Sequence, residues 1–372
     1  VSQQNRQMSA FLTSKPLEKF QQLSAPPDDN SISTQTVAKS IARSRKLMLS
    51  LDSEGDGQAD NGTHRPFFVT TPHQVSGSGT NSRTWFPSPS GSPSCYVTMG
   101  VHQNDLINNF SDFDDGSHGL NMKGVVILPL LVANIMRNYV QSTLDAQNAL
   151  EEGTCSGSKS TVDVTKDANQ KKNISTEIKV KWPNDLLKTI RAEENGNETE
   201  ITTKVGGVLI QLVDDYFLIG IGINLFDSPK LLVEDGKDGV GGTNEENFRG
   251  REAGSIFPQM PHTSDAETLM TTAHDFVLGL VSAFEENIYN GAASSVTIDS
   301  TITDFEQNMY RGERDNTNTK IRTLEIRRDD GGSDGKHIGG QRVVVLKVQR
   351  DGGLLVVSEG GEEKSLYSDY LL

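Results

Sequence analysis

Cysteine is nearly absent: Cys95 and Cys155 are the only two in 372 residues. They form no CxxC pair and no metal-ligand spacing, which argues against a structural zinc and suits a reducing compartment. Hydrophobic residues are sparse for this length, at 34%, so a core forms only if long stretches stay outside it. Positive charge is short: 35 Lys and Arg stand against 50 Asp and Glu, a formal net charge of −15. Such a surface repels nucleic acid and anionic lipid, and neither is an expected partner. No apolar run approaches the roughly 20 residues of a membrane span. The chain opens on Val1, not Met, and is read as a fragment or processed form, which leaves room for a removed targeting peptide.

The length suits two or three domains, or one large domain with insertions. Polar, Gly-rich stretches at about 51–65, 151–175, 192–200 and 234–256 read as disordered surface insertions. Asn-x-Ser/Thr triplets at Asn61 and Asn197 are common by chance and are not read as glycosylation sites. With those stretches set aside, a compact order remains. A helix is predicted from about Thr36 to Leu49, with Val37, Ile41 and Met48 on one face. "PFFVTT", "CYVTMGV" and "EIKVKW" read as strands. "LPLLVANIMRNYVQSTL" reads as a buried helix with Pro129 in its first turn. "VGGVLIQL" and "YFLIGIGINL", separated by "VDD", suggest a hairpin. Ser264-Asp-Ala-Glu267 reads as a capping box opening a helix whose buried face holds Leu269, Ala273, Phe276, Leu280 and Phe284. In the tail, two strands joined by Asp351-Gly352-Gly353 suggest a small all-β end domain. The body is α+β.

Four stretches carry possible chemistry. In "EIKVKWPNDL" the strand stops at Pro183, which cannot continue a ladder, and presents Asn184 and Asp185 at its end. The same composition makes an ordinary turn after a core strand. In "TKVGGVLIQL", Lys204 precedes two glycines, Gly206 and Gly207, that let a planar or anionic ligand approach the backbone. The alternative is an exposed lysine beside a bulge. In "FLIGIGINLF", Gly220 and Gly222 alternate with Ile and thin one face of a strand, and Asn224 closes it. No helix pattern follows, so a dinucleotide fingerprint is not expected. In "HQVSGSGTNSRTW", a small-residue loop leads to Arg83 and Trp85. Such a loop wraps a phosphate and a hydrophobic ligand, or serves as a flexible linker.

The order of these stretches, "KWPNDL", then a lysine before "GGVLIQL", then "IGIGIN", resembles the catalytic core of biotin–protein ligases. The loop "QVSGSGTNSRTW" is similar to that family's biotin- and adenylate-binding loop, and "SISTQT" occupies the place of its Ser-Thr-Asn segment. The resemblance covers roughly residues 30–310. It includes no N-terminal DNA-binding helix-turn-helix, and the polar insertions are similar to those of eukaryotic members. It implies a class II synthetase-like mixed or antiparallel sheet with flanking helices, and a small C-terminal SH3-like β domain. The domains expected are an extension over 1–28, a biotin- and ATP-binding catalytic domain over 29–313 and the β domain over 314–372.

The implied reaction joins biotin to ATP as biotinyl-5′-AMP, then passes biotin to a lysine of a carboxylase's biotin carboxyl carrier domain. ATP, biotin and Mg²⁺ are the implied small molecules. Two anions meet in the first step, so cations are needed where charge accumulates. By match of position, Lys204 and Asp185 are the implied catalytic residues, Asp185 also as proton acceptor for the incoming amine. Ser33, Thr34, Gln35, Gln74, Gly77, Gly79, Lys204, Gly206, Gly207 and Gly220 are implied for biotin. Arg83, Trp85, Lys181, Asn184, Asp185, Gly222 and Asn224 are implied for the adenylate, with Asp185 and Asn224 for Mg²⁺. The chain is expected to be a monomer or weak homodimer, cytoplasmic, plastid or mitochondrial.

The family's loop carries Gly-Arg-Gly-Arg where this chain has Gly77-Ser78-Gly79-Thr80, and Gln35 replaces an Asn. A charge-assisted hydrogen bond contributes about 1.5–3 kcal/mol, so losing two implies a less firmly held intermediate and less selective labelling. The competing readings are a low-activity paralogue that binds biotin or a carrier domain, and a lipoate or octanoate transferase of the same broad fold.

Overall fold

The computed structural model describes residues 17–23, 33–52, 65–74, 77–79, 84–86, 88, 91–110, 121–155, 173–194, 197–229, 252–260, 264–289, 296–314, 322–326, 341–358 and 360–367. Strand β1 (Gln21–Leu23) precedes helix α1 (Thr34–Asp52) and strand β2 (Phe67–Thr71). Two short strands, β3 (Gly77–Ser78) and β4 (Thr84–Trp85), pair with each other ahead of β5 (Cys95–His102). Helix α2 (Gln103–Asn109) is capped by His102, whose Nδ1 accepts from Asn104 N at 3.2 Å. Helix α3 (Met122–Cys155) leads to β6 (Asn173–Lys181), β7 (Asp185–Glu194), β8 (Asn197–Val213) and β9 (Tyr216–Ile223). Helices α4 (Ala266–Tyr289) and α5 (Ile298–Asn308) follow. Strands β10 (Glu313–Arg314), β11 (Arg322–Ile326), β12 (Gln341–Val348), β13 (Leu354–Ser358) and β14 (Glu363–Leu366) end the described chain.

Seven strands form one sheet in the order β1-β2-β5-β9-β8-β7-β6. Only β1 pairs parallel; the remainder is antiparallel. The two-residue period of a strand sorts its side chains. On β9, Phe217, Ile219, Ile221 and Ile223 join Val97, Met99 and Val101 of β5 in the main core, beneath α3 and α4. Phe276, Leu280 and Phe284 of α4 are fully buried there, as the predicted apolar face requires. Burying each such side chain contributes about 1.5–3 kcal/mol. The opposite face carries a smaller core, where Ala38 and Ala42 of α1 meet Phe67, Val69, Tyr216 and Leu218. Beyond Leu218 that face reads Gly220 and Gly222, and space opens there.

The C-terminal strands form an antiparallel sheet ordered β10-β11-β12-β13-β14. Its apolar face, with Val343, Val345, Val348, Leu354 and Val356, shares a core with Ile298, Ile302 and Phe305 of α5 and with Ile127 and Leu130 of α3.

Several expectations are corrected. The stretch 192–200 contains the tips of β7 and β8, paired as far as Glu194↔Asn197. Cross-strand charges hold its base: Arg191 Nε donates to Glu200 Oε2 at 2.9 Å, and Glu177 lies 3.3 Å from Arg191. Residues 51–52 belong to α1, 151–155 to α3 and 173–175 to β6, and 252–256 also pack into the fold, while 53–64, 156–172, 195–196 and 230–251 lie outside the described residues. Pro129 is not in the first turn of α3, because the helix starts at Met122, where Asn121 O accepts from Gly124 N and Val125 N. The part Gly124–Leu150 is long and apolar enough to cross a membrane by composition, contrary to the sequence reading. Its polar interruptions concealed the run, and 72% of its apolar window is buried inside the fold. Helix α4 is capped by Asp265, not Ser264: Asp265 Oδ1 accepts from Thr268 N at 2.7 Å, which holds that carboxyl below its ordinary range.

A buried carboxylate ties β1 to the body. Glu285 of α4, 3% exposed, accepts from Glu18 N, Lys19 N and Phe20 N at 2.7, 3.1 and 3.1 Å. Glu285→Gln supplies a weaker acceptor and brings a donor to three N–H groups. Its expected cost is about 1–3 kcal/mol in chemical unfolding; an unchanged midpoint would show that Glu285 does not hold this segment.

Candidate active site

A cavity of about 180 Å³ lies over the glycine-cleared face of the large sheet. Three strands supply its floor by alternation. Tyr96 and Thr98 come from β5, Gly220 and Gly222 from β9, and Gly207 and Leu209 from β8. Trp85 of β4 lies against this floor: an added Cβ on Gly222 would meet its ring at 3.1 to 3.5 Å, and one on Gly207 at 3.5 Å. These glycines therefore let an indole lie close to the backbone.

The inner end is polar. Ser33, Thr34, Gln35 and Gln74 are buried there, at the N-terminus of α1 and after β2. Gln74 Oε1 accepts from Thr34 N at 3.3 Å. The Thr98 hydroxyl donates to Gln35 Oε1 at 3.1 Å and lies 2.9 Å from the Thr34 hydroxyl. Gln35 Nε2 donates to Leu218 O and to Gln211 Oε1, both at 3.2 Å. Both ends of the Gln35 amide are thus committed to the protein, and its side chain forms a wall over Gly220.

The outer end is charged. Lys204 Nζ donates to Asp185 Oδ1 at 2.6 Å, and it lies 5.6 Å from the Trp85 ring centroid. A cation over an indole face gains about 0.5–1 kcal/mol at such a partly exposed position. Asp185 is the only carboxylate among the described lining residues. It opens β7, directly after the turn Trp182-Pro183-Asn184. That turn is pinned to β8 twice: Asn184 Nδ2 donates to Val208 O at 2.6 Å, and Val208 N donates to Asn184 O at 3.1 Å. "KWPND" is thus a turn after a strand, and the same turn brings Asn184 and Asp185 to the cavity. Burial pushes the Tyr96 hydroxyl above the ordinary tyrosine range, against the opposing influence of neighbouring Ser94 and Trp85.

Ser33, Thr34, Gln35, Gln74, Gly79, Trp85, Asn184, Asp185, Lys204, Gly207, Gly220 and Gly222 come together as cavity lining. Other sequence candidates do not line it. Gly206 packs against Leu186 and Ile223 beside a β-bulge in β8. Gly77 is buried under Gln74 and Trp85, and Lys181 pairs with Asp185 across the β6–β7 turn. Asn224 is not among the lining residues, and its Nδ2 donates to Gly254 O at 3.0 Å. Among the described residues no three His, Cys, Asp or Glu gather into a metal cage. Arg83 and Thr80 lie outside the described residues. Sequence reasoning missed Tyr96, Thr98, Val208, Leu209 and Ile221; the alternation Tyr96, Thr98, Gly100 in "CYVTMGV" was the available signal.

Behind the sheet, Lys188 is 7% exposed and its Nζ donates to Ser255 O and Ile256 O at 3.1 and 2.9 Å. Burial pushes its pKa down to about 8.

No family model matches the chain, and no curated protein matches it. Among solved structures it is similar to the biotin protein ligase of Leishmania major in complex with biotinyl-5-AMP, at 20% identity and a TM-score of 0.42, covering 95% of this chain and 100% of that one. It is also similar to the biotin protein ligase of Aquifex aeolicus in complex with biotin and ATP, at 16% identity and a TM-score of 0.43, over 95% and 97%. P. falciparum LipL1 in complex with lipoate matches at 11% identity and a TM-score of 0.31, over 93% and 84%. At these values the likenesses carry no weight, and the site stands on its own residues.

One substitution tests the wall. An added Cβ at Gly220 would sit 2.4 Å from Gln35 Oε1. Gly220→Ala is expected to push Gln35 off Thr98 and destabilise the fold by about 1–3 kcal/mol in chemical denaturation. A wild-type midpoint would show that Gln35 moves aside freely.

Proposed function

We propose that the chain is a biotin–protein ligase. The observation that carries this reading is the Lys204–Asp185 pair at 2.6 Å, set at the charged end of a cavity whose other end is a buried hydroxyl and amide cluster. A small ligand with a polar ring at one end and a carboxylate at the other matches that order of groups. Biotin has a ureido ring, an apolar body and an acid, and the motif "KWPND" with Lys204 before "GG" points the same way.

In the first step a biotin carboxylate oxygen bonds to the α-phosphorus of ATP, the α–β P–O bond breaks, and pyrophosphate leaves. Lys204 offsets the negative charge of the acid and the phosphate as they approach. Trp85 stacks the adenine or covers the acyl phosphate, and the floor glycines allow that closeness. We assign ATP with its bound magnesium as a substrate, because the described lining residues supply one carboxylate rather than a cage. In the second step a lysine amine of a carrier domain bonds to the acyl carbon and the acyl–phosphate bond breaks, releasing AMP. In this reading Asp185 takes the proton that the amine sheds.

The test uses the full chain with ATP, magnesium, labelled biotin and a carrier domain. Biotin-dependent pyrophosphate release and labelling of the carrier are expected, with a loss of at least a hundredfold in Lys204→Ala. Pyrophosphate release without transfer would favour the low-activity reading, and free biotinyl-AMP in the filtrate would reflect the loop without arginines. Adenylation of lipoate but not biotin would overturn the proposal.

A further inference from the structure

Lys188 is placed where burial disfavours a charge. It lies on β7, opposite the core residue Ile178 in the β6–β7 register, and its Nζ donates to two carbonyl oxygens. No carboxylate among the described residues shifts its titration; burial alone does. An apolar side chain of similar volume would be less costly at such a position. The reason for an ammonium there lies in what it grips.

Lys188 pairs with Thr203 across β7 and β8, and Lys204 is the next residue along. The pleat therefore sends the two lysines to opposite faces, Lys204 into the cavity and Lys188 towards the core. Both acceptors of Lys188 belong to the segment 252–260. That segment runs beside β8 beyond the point where β9 has ended, with Ala253 bridged in parallel to Lys204. It takes hold of the Lys204 main chain on both sides: Lys204 N donates to Glu252 O, and Gly254 N donates to Lys204 O, each at 2.9 Å. It also fixes Asn224 and Leu225, through Ile256 N to Asn224 O at 3.0 Å and Phe257 N to Leu225 O at 2.7 Å. The approach is close, because a Cβ on Gly254 would meet Thr203 Oγ1 at 2.1 Å.

We propose that Lys188 is a positioning residue: by gripping Ser255 O and Ile256 O it locks this segment against β8, and through it holds the Lys204 main chain where the Lys204 ammonium meets Asp185. Only the kinetic consequence rests on the reading of the chain as a biotin ligase.

The experiment compares the full-length chain with Lys188→Met and Lys188→Arg. Amide hydrogen exchange, the Lys204 ¹⁵Nζ resonance and the rate of biotin-dependent pyrophosphate release are read for each. In Lys188→Met, the Lys204 and Gly254 amides are expected to exchange about tenfold faster or more, with α4 unchanged. The Lys204 ¹⁵Nζ signal shifts, and kcat falls about tenfold while KM for biotin changes less. Lys188→Arg, which keeps the charge and donors, restores the ¹⁵Nζ signal. If Lys188→Met does not fold, Lys188→Gln is read in the same way. Wild-type exchange at Lys204 and Gly254 with an unmoved ¹⁵Nζ signal would overturn the proposal, even if the melting temperature fell. If exchange and resonance respond while the unaltered chain releases no pyrophosphate, the positioning role stands and the proposed reaction falls.

Discussion

The cavity is organised by the contact between the Lys204 ammonium and the Asp185 carboxylate. Their side chains are 34% and 22% exposed, so the pair adds little to stability. Its importance is positional. The pair is neutral as it stands, so an anion entering the cavity competes with Asp185 for the ammonium. Each partner sits on a backbone held from several directions. Asp185 follows a turn clamped to β8 by Asn184, while Lys204 is flanked by the 252–260 segment on one side and β7 on the other.

The turn before Asp185 is braced from the C-terminal sheet as well. Trp182 Nε1 donates to Gly352 O at 3.1 Å, in the turn between β12 and β13. Gly352 has φ +78°, and an added Cβ would meet Val126 O at 2.9 Å, so the turn lies directly on α3. Tyr310 N donates to Val180 O at 2.7 Å, just past α5. The second sheet therefore reaches the candidate site through the Trp182 indole and the core it shares with α3 and α5, and none of its described residues lines the cavity.

Much of this arrangement was legible because strands announce themselves by period. The glycines of "FLIGIGINL" were read as thinning one face, and that face is the cavity floor. Lys204 before its glycines and Asp185 after its proline were both readable, since each lies at a break in an apolar pattern. Tyr96 and Thr98 do not stand out in "CYVTMGV", because a strand reading alone does not separate its two faces. The hairpin tip at 192–200 was misread from composition: its stabilising contacts are cross-strand charges, which a tally of polar residues does not reveal. Lys188 had no local signal at all, because its partners are 67 and 68 residues away in sequence. Asn224, a polar residue at a strand end, uses its amide Nδ2 to hold the Gly254 backbone.

The central claim is that Lys204 gives up Asp185 for the ligand's acid group. A crystal structure of the chain with a non-hydrolysable biotinyl-adenylate analogue tests it most directly. The account predicts the Lys204 Nζ within hydrogen-bonding distance of the linkage between the acyl and phosphoryl groups, with the bicyclic ring against Thr34 and Gln74. An analogue bound elsewhere, or bound here with Lys204 still on Asp185 and out of reach of the linkage, would contradict it.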